Sequence, residues 1–393
     1  MKKRLVETCD VDFLKNINVV EFSHMVMGPS TGLILGDLGA NVVKVEPVGG
    51  DKTRRLVGSG AGYFSMFNRN KQSLCVDVKS EEGRKIVRRL VETADVVIEN
   101  FRPGALDKLG LGYKDIKEIN PSVIYQSSKG FLGGPYQERT ALDEVAQMMG
   151  GLAYMTGPEG RPLRAGSSVI DITGGMFGVI GILAALLRRE QTGGDGVHIT
   201  SSLFETTVFL VGQHIAQQAV TGQPVQPMPS RVSAWAVYDV FEASDGQVFV
   251  GVVSDSQWVT FCKVFDFEEW GADARLADNT GRVAHRDVIM PVLRERFAQM
   301  PKDELVGKLG EAGLPYAPIN RPQDLLDDPQ VMSRGMHELR LPDQDRSVLL
   351  PKLPIEVNGS RSAEAADPPV AGEHTDAVLA RLDLDHMINP DPS

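Results

Sequence analysis

Short β-branched runs alternate with stretches of helical periodicity through the first part of the chain. Four runs have the length and composition of strands, at 17–23, 41–47, 95–100 and 123–128. Between them, apolar residues recur at helical spacing in 29–38 and 80–94, and the second stretch opens with a serine and two glutamates, the pattern of a capped helix. Strands separated by helices at this spacing predict an α/β fold with a parallel, doubly wound sheet.

The pattern changes after a predicted helix at 203–221. Residues 222–231 are rich in proline and lack apolar periodicity, which indicates a linker. Residues 236–253 then alternate on both sides of an Asp-Gly pair and predict a β-hairpin. Helical spacing follows at 255–265, 286–299 and 302–312, and again near the C-terminus at 373–384. We therefore predict a small α+β domain at 225–325.

Composition narrows the class of protein. At 393 residues the chain exceeds what one hydrophobic core usually serves, so two domains are expected. A net charge of −11 argues against nucleic acid as a partner, because phosphate recognition needs a basic surface. The three cysteines, Cys9, Cys75 and Cys262, have no metal-site or disulfide-framework spacing, and no metal-binding motif occurs, so no metal is expected. With no signal-peptide pattern at the N-terminus, these features predict a cytoplasmic protein.

One apolar run, residues 172–187, is the longest in the chain, and Asp171 stands at its start. Its 16 residues fall short of the roughly 20 that span a bilayer, so we expect no membrane contact and a core helix buried nearly all round. The helix dipole favours an ionised carboxylate at this end. Close to Gly174 and Gly175, such a carboxylate can act as a covalent nucleophile, and an N-cap role is the alternative.

Cations are concentrated where predicted strands end. They occur in 51–55 and 68–72, and Arg102 and Lys129 follow two later strands. Arginine forms paired hydrogen bonds with phosphates and lysine acts as a point charge, so the pattern favours an anionic, nucleotide-like ligand. Residues 28–36 follow a strand but lack GxGxxG, which argues against a nicotinamide or flavin site. His24, also at a strand end, is either catalytic or internally hydrogen-bonded.

Spaced motifs over nearly the whole chain resemble the class III (family III) CoA-transferases, a family that also contains formyl-CoA and carnitine CoA-transferases and α-methylacyl-CoA racemases. The matching stretches are 22–29, 38–47, 68–73, 95–104, 119–125, 161–166 leading into Asp171, 189–194, 328–336 and 372–375. The resemblance implies a Rossmann-like large domain built from 1–224 and 326–393, with the small domain between them. It also implies an interlocked homodimer, no tightly bound cofactor, and coenzyme A or acyl-CoA with a small carboxylic acid as substrates.

The resemblance also assigns roles to residues. Asp171 is expected to attack an acyl-CoA thioester, giving a mixed anhydride and then an aspartyl-CoA thioester. Residues expected to line the coenzyme cleft are His24, Arg54, Asn68, Lys71, Asn100, Phe101, Arg102, Ala105 and Lys129. Residues expected beside the reacting acyl group or acid are Val26, flanked by Met25 and Met27, then Asp143, Gly174, Gly175 and Arg231. We expect the N–H groups near the two glycines to stabilise the oxyanion, and Arg231 to hold a second carboxylate on a diacid such as succinate.

Two departures from the family pattern bear on the reaction. Racemases of the family have a histidine where this chain has Leu142, and racemisation needs both an acid and a base. Formyl-CoA transferases have a glutamine where this chain has Val26, and a glycine-rich loop where it has residues 229–235, so formate and oxalate are not the expected substrates. The expected activity is therefore CoA transfer. An α-methylacyl-CoA racemase, or a non-catalytic CoA-binding protein, is the alternative.

Overall fold

A six-stranded parallel sheet forms the centre of the first of two compact units. The computed structural model describes residues 12–231, 233–342, 344–361 and 365–384; the N-terminal segment and Cys9 lie outside this range. The strands of the sheet are β1 (Asn18–Phe22), β2 (Asn41–Glu46), β3 (Lys71–Cys75), β4 (Val96–Glu99), β5 (Ile124–Lys129) and β6 (His198–Ser202). Every neighbouring pair is parallel, which confirms the predicted parallel sheet.

The strand order β3-β2-β1-β4-β5-β6 reverses direction between β1 and β4. In sheets of this kind, ligands bind beyond the carboxyl ends of the strands at such a reversal, because the connecting helices diverge there and leave a crevice. Phe22, the last residue of β1, pairs with Glu99, the last of β4, so the two strands end level. The segments that follow them therefore border the same crevice.

Helices cover both faces of this sheet. The α-helices described up to residue 221 are α1 (Met27–Asp37), α2 (Tyr63–Phe67), α3 (Glu81–Glu92), α4 (Tyr113–Ile119), α5 (Asp143–Met149), α6 (Leu152–Thr156), α7 (Val169–Thr192), α8 (Leu203–Leu210) and α9 (Gly212–Thr221). Helix α3 begins as predicted, since the Ser80 hydroxyl accepts a hydrogen bond from Gly83 N–H at 2.9 Å. The single helix predicted at 203–221 is two helices, α8 and α9, with Val211 between them.

Two strands of the sheet were not predicted from the sequence. Strand β3 contains Lys71, Gln72 and Ser73, and β6 is similarly polar, because both lie at the edges of the sheet. The C-terminal segment covers the β3 edge: Cys75 N–H donates to the Thr375 hydroxyl at 3.2 Å. Partners that lie this far apart along the chain leave no local periodicity in the sequence.

Helix α7 differs from its prediction in length and burial. It has 24 residues and is, among the described residues, the one helix long and apolar enough to span a membrane by length and composition. One face packs on α1 and the sheet, but the side chains of Met176, Ile180, Leu183 and Leu187 are exposed. The expectation that this helix is buried nearly all round is therefore wrong.

The second unit comprises Arg231–Met332, and the first takes the described residues before and after it. The sequence prediction had placed the boundaries of the small domain at 225 and 325. Its antiparallel sheet contains β7 (Tyr238–Ala243), β8 (Gly246–Gly251) and β9 (Tyr316–Pro318), in that order, which confirms the predicted hairpin and adds one strand. Its helices are α10 (Asp255–Val264), α11 (Glu268–Ala272), α12 (Asn279–Ala284), α13 (Arg286–Ala298) and α14 (Lys302–Glu311).

The C-terminal part of the chain returns to the first unit. Helix α15 (Pro329–Arg334) leads into an antiparallel pair, β10 (Met336–Arg340) and β11 (Ser347–Pro351), and helix α16 (Thr375–Arg381) packs beside β3. The β10–β11 pair was not predicted. Cys75 and Cys262 are free thiols.

Candidate active site

The segments after β1 and β4 are joined by two reciprocal hydrogen bonds. The Asn100 side chain accepts from His24 N–H at 3.0 Å and donates to the His24 carbonyl at 2.7 Å. The next residue, Met25, has a left-handed φ of 63°, which is uncommon for a residue with a side chain, and its N–H donates to the Thr53 hydroxyl. Strained backbone held by several neighbours is typical of functional sites, and here it lies at the end of the first strand.

A cavity of about 380 Å³ opens beyond these strand ends. We call it the coenzyme cavity. Of the predicted site residues, seven line it: His24, Asn100, Phe101, Arg102, Lys129, Asp143 and Asp171. Met25 and Met27 also line it, as expected. Residues that the sequence did not single out line it too, among them Tyr63, Arg139, Glu144 and Arg164.

Asp171 is the third residue of α7, and it is not the N-cap. Ser168 occupies the cap position, and no side chain of the helix makes a cap hydrogen bond there. The Asp171 carboxylate is half-buried and faces the coenzyme cavity. The capping interpretation of this residue is therefore excluded, and its carboxylate is accessible from the cavity.

Asp143 caps helix α7 from a different helix. One of its carboxylate oxygens accepts from Ile170 N–H at 2.9 Å and from Asp171 N–H at 3.1 Å. The other accepts from the Gln147 side chain, whose own oxygen accepts from Ala165 N–H. Asp143 therefore fixes the start of α7 and occupies two of the N–H groups that a helix leaves free at this end.

This arrangement raises the pKa of Asp171 to about 7. Burial is the main cause, and the like charges of Asp143 and Glu144 add to it, while Arg164 acts in the opposite direction. Burial and the two neighbouring acids therefore act against the ionised form of Asp171 that the helix N-terminus was expected to favour, and Asp143 occupies two of the N–H groups at that end. A more basic carboxylate is a stronger nucleophile in its ionised form.

Asp143→Asn is expected to move the acidic limb of the pH–rate profile to lower pH. The amide oxygen still accepts from the two helix N–H groups, but the like charge beside Asp171 is gone, so the pKa of Asp171 falls. The measurement is kcat/KM as a function of pH. Glu159→Gln, an exposed acid in the same unit that does not line the coenzyme cavity, is the control and should leave the limb in place. An unmoved limb in Asp143→Asn would show that its charge does not act on Asp171.

Arg164 lies beside both acids of α5. Its guanidinium pairs with Glu144 and lies 3.6 Å from an oxygen of Asp143. It also donates to the backbone carbonyls of Ala165 and Ser167, which hold it in place. The only signal in the sequence was its position seven residues before Asp171, and its role was not predicted.

Three residues expected to line the coenzyme cleft instead form ion pairs or hydrogen bonds inside the protein. Lys71 is fully buried, lies 2.8 Å from Glu21 and donates to Asn68 at 3.1 Å, and burial lowers its pKa to about 8. Asn68 is also buried and donates to a backbone carbonyl. Arg54 makes two hydrogen bonds to Glu46, at 2.6 and 2.8 Å. The expectation that these side chains line the cleft does not match the described structure, because each has a buried internal partner.

The two glycines of α7 serve packing, not oxyanion binding. As the sixth and seventh residues of the helix, Gly174 and Gly175 donate their N–H groups within it. A methyl group on Gly175 would lie 2.8 Å from the Met27 carbonyl oxygen, so glycine is required where α1 crosses α7. The predicted oxyanion role is corrected accordingly.

The remaining predicted residues lie elsewhere. Val26 is buried at the start of α1, packed near Leu33 and Phe67, and does not line the coenzyme cavity. Ala105 is half-buried in the loop after β4 and does not line it either. Arg231 belongs to the second unit, and its role stays a prediction.

The charges at the cavity are unevenly distributed. Lys129 pairs with Glu99 at 2.6 Å and donates to the Phe101 carbonyl, which ties the ends of β4 and β5 together. Arg102 and Arg139 are exposed, and no salt bridge to either is found among the described residues. Burial lowers the pKa of His24, whose ring lies 5.2 Å from that of Phe101. A neutral imidazole and an aromatic ring suit the uncharged part of a ligand, and the two arginines suit its phosphates.

The comparisons with known proteins agree on one family. The model of CoA-transferase family III matches residues 14–375. The chain is 34% identical to human succinyl-CoA:glutarate CoA-transferase, over 94% of this chain and 86% of that protein. It is also 34% identical to an acetyl-CoA:oxalate CoA-transferase from Acetobacter aceti, over 87% and 88%. The crystal structure of a CAIB/BAIF family protein from Brucella suis superposes with a TM-score of 0.83 at 37% identity, covering 94% of this chain and 99% of that one.

Proposed function

Because the chain belongs to CoA-transferase family III and is a CoA-transferase, we propose that it moves CoA from an acyl-CoA to a dicarboxylic acid through Asp171. One observation supports this choice of nucleophile above the rest. Asp171 is a half-buried carboxylate facing the coenzyme cavity, its pKa is raised, and no salt bridge to it is found in the part of the chain that the structure describes. Such a carboxylate is available to form a covalent bond.

The proposed reaction begins with attack of the Asp171 carboxylate on the thioester carbonyl carbon. The C–S bond breaks, CoA leaves as a thiolate, and an acyl-aspartyl anhydride forms. The thiolate then attacks the Asp171 carboxyl carbon, which releases the donor's free acid and gives an aspartyl-CoA thioester. The acceptor carboxylate attacks that carbon, the C–S bond breaks to release the CoA thiolate, and a second anhydride forms. The thiolate then attacks the acceptor's acyl carbon, and the bond from that carbon to the Asp171 oxygen breaks. The new acyl-CoA and the free Asp171 carboxylate result, with no net change in protons or electrons.

The residues of the cavity have defined parts in this scheme. Asp143 positions the start of α7, and the His24–Asn100 hydrogen bonds fix the wall at the ends of β1 and β4. Arg102 and Arg139 are proposed to attract the phosphates of coenzyme A. No tightly bound cofactor is part of the scheme, and a cytoplasmic location is proposed with it.

The proposed acids are dicarboxylates. Relatives at equal identity are named for glutarate and for oxalate, so the shared feature is two carboxylates and not one chain length. The expectation that oxalate is not a substrate therefore has no support from these relatives. We keep succinate, the diacid expected from the sequence, beside glutarate and oxalate as candidates.

The test is a transfer assay with succinyl-CoA or acetyl-CoA as donor and a panel of acids, followed by mass spectrometry of the acyl-CoA products. The proposal predicts a new acyl-CoA from at least one dicarboxylate. Coenzyme A binding without any transfer would support a non-catalytic binding protein. Exchange of the α-proton of a lone acyl-CoA with deuterated solvent, without an acceptor acid, would support the racemase, although Leu142 offers no proton donor beside Asp143.

A homodimer is part of the proposal, and the exposed side of α7 supports it. The side chains of Met176, Ile180, Leu183 and Leu187 recur at helical spacing and form one apolar stripe, and Phe209 of α8 is exposed as well. The opposite face of α7 packs on α1 and the sheet, which a helix crossing a bilayer alone would not do. We propose that a second copy of the chain covers the stripe.

Ile180→Glu is expected to convert the proposed dimer to monomers, because it places a charge in the centre of that apolar stripe. The measurement is the molar mass in solution, by light scattering after size exclusion or by sedimentation. Val259→Glu changes an exposed apolar residue on α10, outside the stripe, and should leave the mass unchanged. A monomeric wild-type protein would contradict the proposal, and partition of the wild type into lipid vesicles would indicate a membrane instead.

A further inference from the structure

A second cavity of about 360 Å³ adjoins the start of α7. We call it the serine cavity. The described residues that line it are Ser59, Tyr63, Phe67, Arg164, Ala165, Gly166, Ser167, Ser168 and Ile172. Tyr63, Arg164 and Ser168 line the coenzyme cavity as well, so the two spaces meet at these side chains. Asp171 borders one space and its neighbour Ile172 the other.

The two cavities differ in charge. Asp143, Glu144 and Asp171 all line the coenzyme cavity, whereas the described lining of the serine cavity contains no carboxylate. Its polar groups are serine hydroxyls, the Tyr63 phenol and the Arg164 guanidinium, and all of these can donate hydrogen bonds. A carboxylate in the serine cavity therefore meets hydrogen-bond donors with no acid in the described lining, whereas in the coenzyme cavity it meets three acids as well as Arg102, Lys129 and Arg139.

Arg164 is held in a way that suits exchange of its partner. Two backbone carbonyls fix the guanidinium, and its closest anionic partner is Glu144, whose side chain is 50% exposed. Exposed ion pairs contribute little, so an incoming carboxylate can replace Glu144 at small cost. The planar guanidinium then presents a matched pair of donors to that carboxylate.

We propose that the serine cavity binds the distal carboxylate of the acceptor diacid, with Arg164 as the residue that selects dicarboxylates over monocarboxylates. The reacting carboxylate then points through the shared opening toward Asp171. The inference rests on the proposed function, and it assigns to Arg164 the role that the sequence had suggested for Arg231.

The test compares glutarate with pentanoate, which has the same carbon chain without the distal carboxylate, using acetyl-CoA as the common donor. Arg164→Gln is expected to lower kcat/KM for glutarate by roughly 10- to 100-fold relative to pentanoate, the usual range for losing a charged hydrogen bond. The readout is the ratio of kcat/KM for the two acids. Arg164 also acts on the pKa of Asp171, but that effect is common to both acids and cancels in the ratio. Arg164→Lys keeps the charge but loses the paired donors. Its ratio of kcat/KM for the two acids should therefore lie between that of the wild type and that of Arg164→Gln.

Two further variants sharpen the result. Glu144→Gln removes the competing anion, so it should lower KM for glutarate by about 2- to 5-fold at a pH well above 7, where Asp171 is ionised. Arg161→Gln changes an exposed arginine of the same loop that lines neither cavity, and should leave the ratio unchanged.

The outcomes separate the inference from the proposed function. Normal transfer by the wild type, with the same acid preference in Arg164→Gln, would overturn the inference alone. An equal loss for both acids in a folded Arg164→Gln protein would assign Arg164 to support of the helix start and would also overturn it. A wild-type protein that transfers CoA to no acid would overturn both.

Discussion

Asp171→Asn is expected to abolish CoA transfer while making the folded protein more stable at neutral and alkaline pH. Loss of the attacking oxygen removes the covalent route, so kcat should fall by roughly four orders of magnitude or more. Asparagine has nearly the same shape but carries no charge. The substitution therefore removes the cost of burying a charge and the repulsion between like charges. These two effects raise the pKa of Asp171 to about 7 from an ordinary 3.8.

The sign of the stability change follows from proton binding. Between pH 4 and 7 the folded state keeps a proton on Asp171 that the unfolded state has lost, so wild-type stability from this group falls as pH rises. Asp171→Asn should therefore match the wild type below about pH 4 and exceed it above pH 7. At about 1.4 kcal/mol per pKa unit, the gain in unfolding free energy is on the order of 2–4 kcal/mol.

Chemical denaturation of both proteins at several pH values measures this difference. Asp303→Asn, in the exposed first turn of α14, is the matched control. It should lose a few tenths of a kcal/mol to about 1 kcal/mol, because an exposed carboxylate there is stabilised by the helix dipole. An Asp171→Asn protein less stable than the wild type at pH 8 would show that the carboxylate is not under electrostatic strain.

Glu21→Gln is expected to destabilise the protein by about 3–5 kcal/mol. Glu21 is buried in β1 and lies 2.8 Å from Lys71 and 3.4 Å from Lys44, and both lysines are fully buried. Gln removes the negative charge that both lysines share and leaves Lys71 without its anionic partner, whereas Lys44 keeps Asp51 at 3.3 Å. The loss should appear as a lower denaturation midpoint with the same denaturant dependence.

An exposed ion pair provides the comparison for Glu21. Glu92 pairs with Arg89 on the surface of α3, and Glu92→Gln should change stability by less than about 0.5 kcal/mol. A loss below about 1 kcal/mol in Glu21→Gln would mean that water or a proton compensates the lysines.

The strands and the site were predictable from the sequence where local pattern decides the structure. The β-branched runs in β1, β2, β4 and β5 are buried on both faces, and periodicity alone locates them. Asp171, Asp143 and His24 were found because each stands at a helix start or a strand end. The polar strand β3 was missed because the groups that cover its outer edge come from residues some 300 positions later in the chain.

Two errors at the site share one physical cause. Lys71 and Arg54 were assigned to the ligand because they are cations near strand ends, yet each pairs with an acid in a strand of the central sheet, Glu21 or Glu46. The signal was present, since a glutamate inside an apolar strand needs a buried partner. Arg164 was missed because its importance depends on two cavities, which no spacing in the sequence reveals.

Covalent trapping shows directly whether Asp171 is the nucleophile. The wild-type protein is incubated with an acyl-CoA donor, treated with hydroxylamine or borohydride, digested, and mapped by mass spectrometry. We expect a modified side chain at Asp171 that depends on the donor and is absent from Asp171→Asn. Modification of a different residue, or donor-dependent turnover with Asp171 never modified, would contradict it.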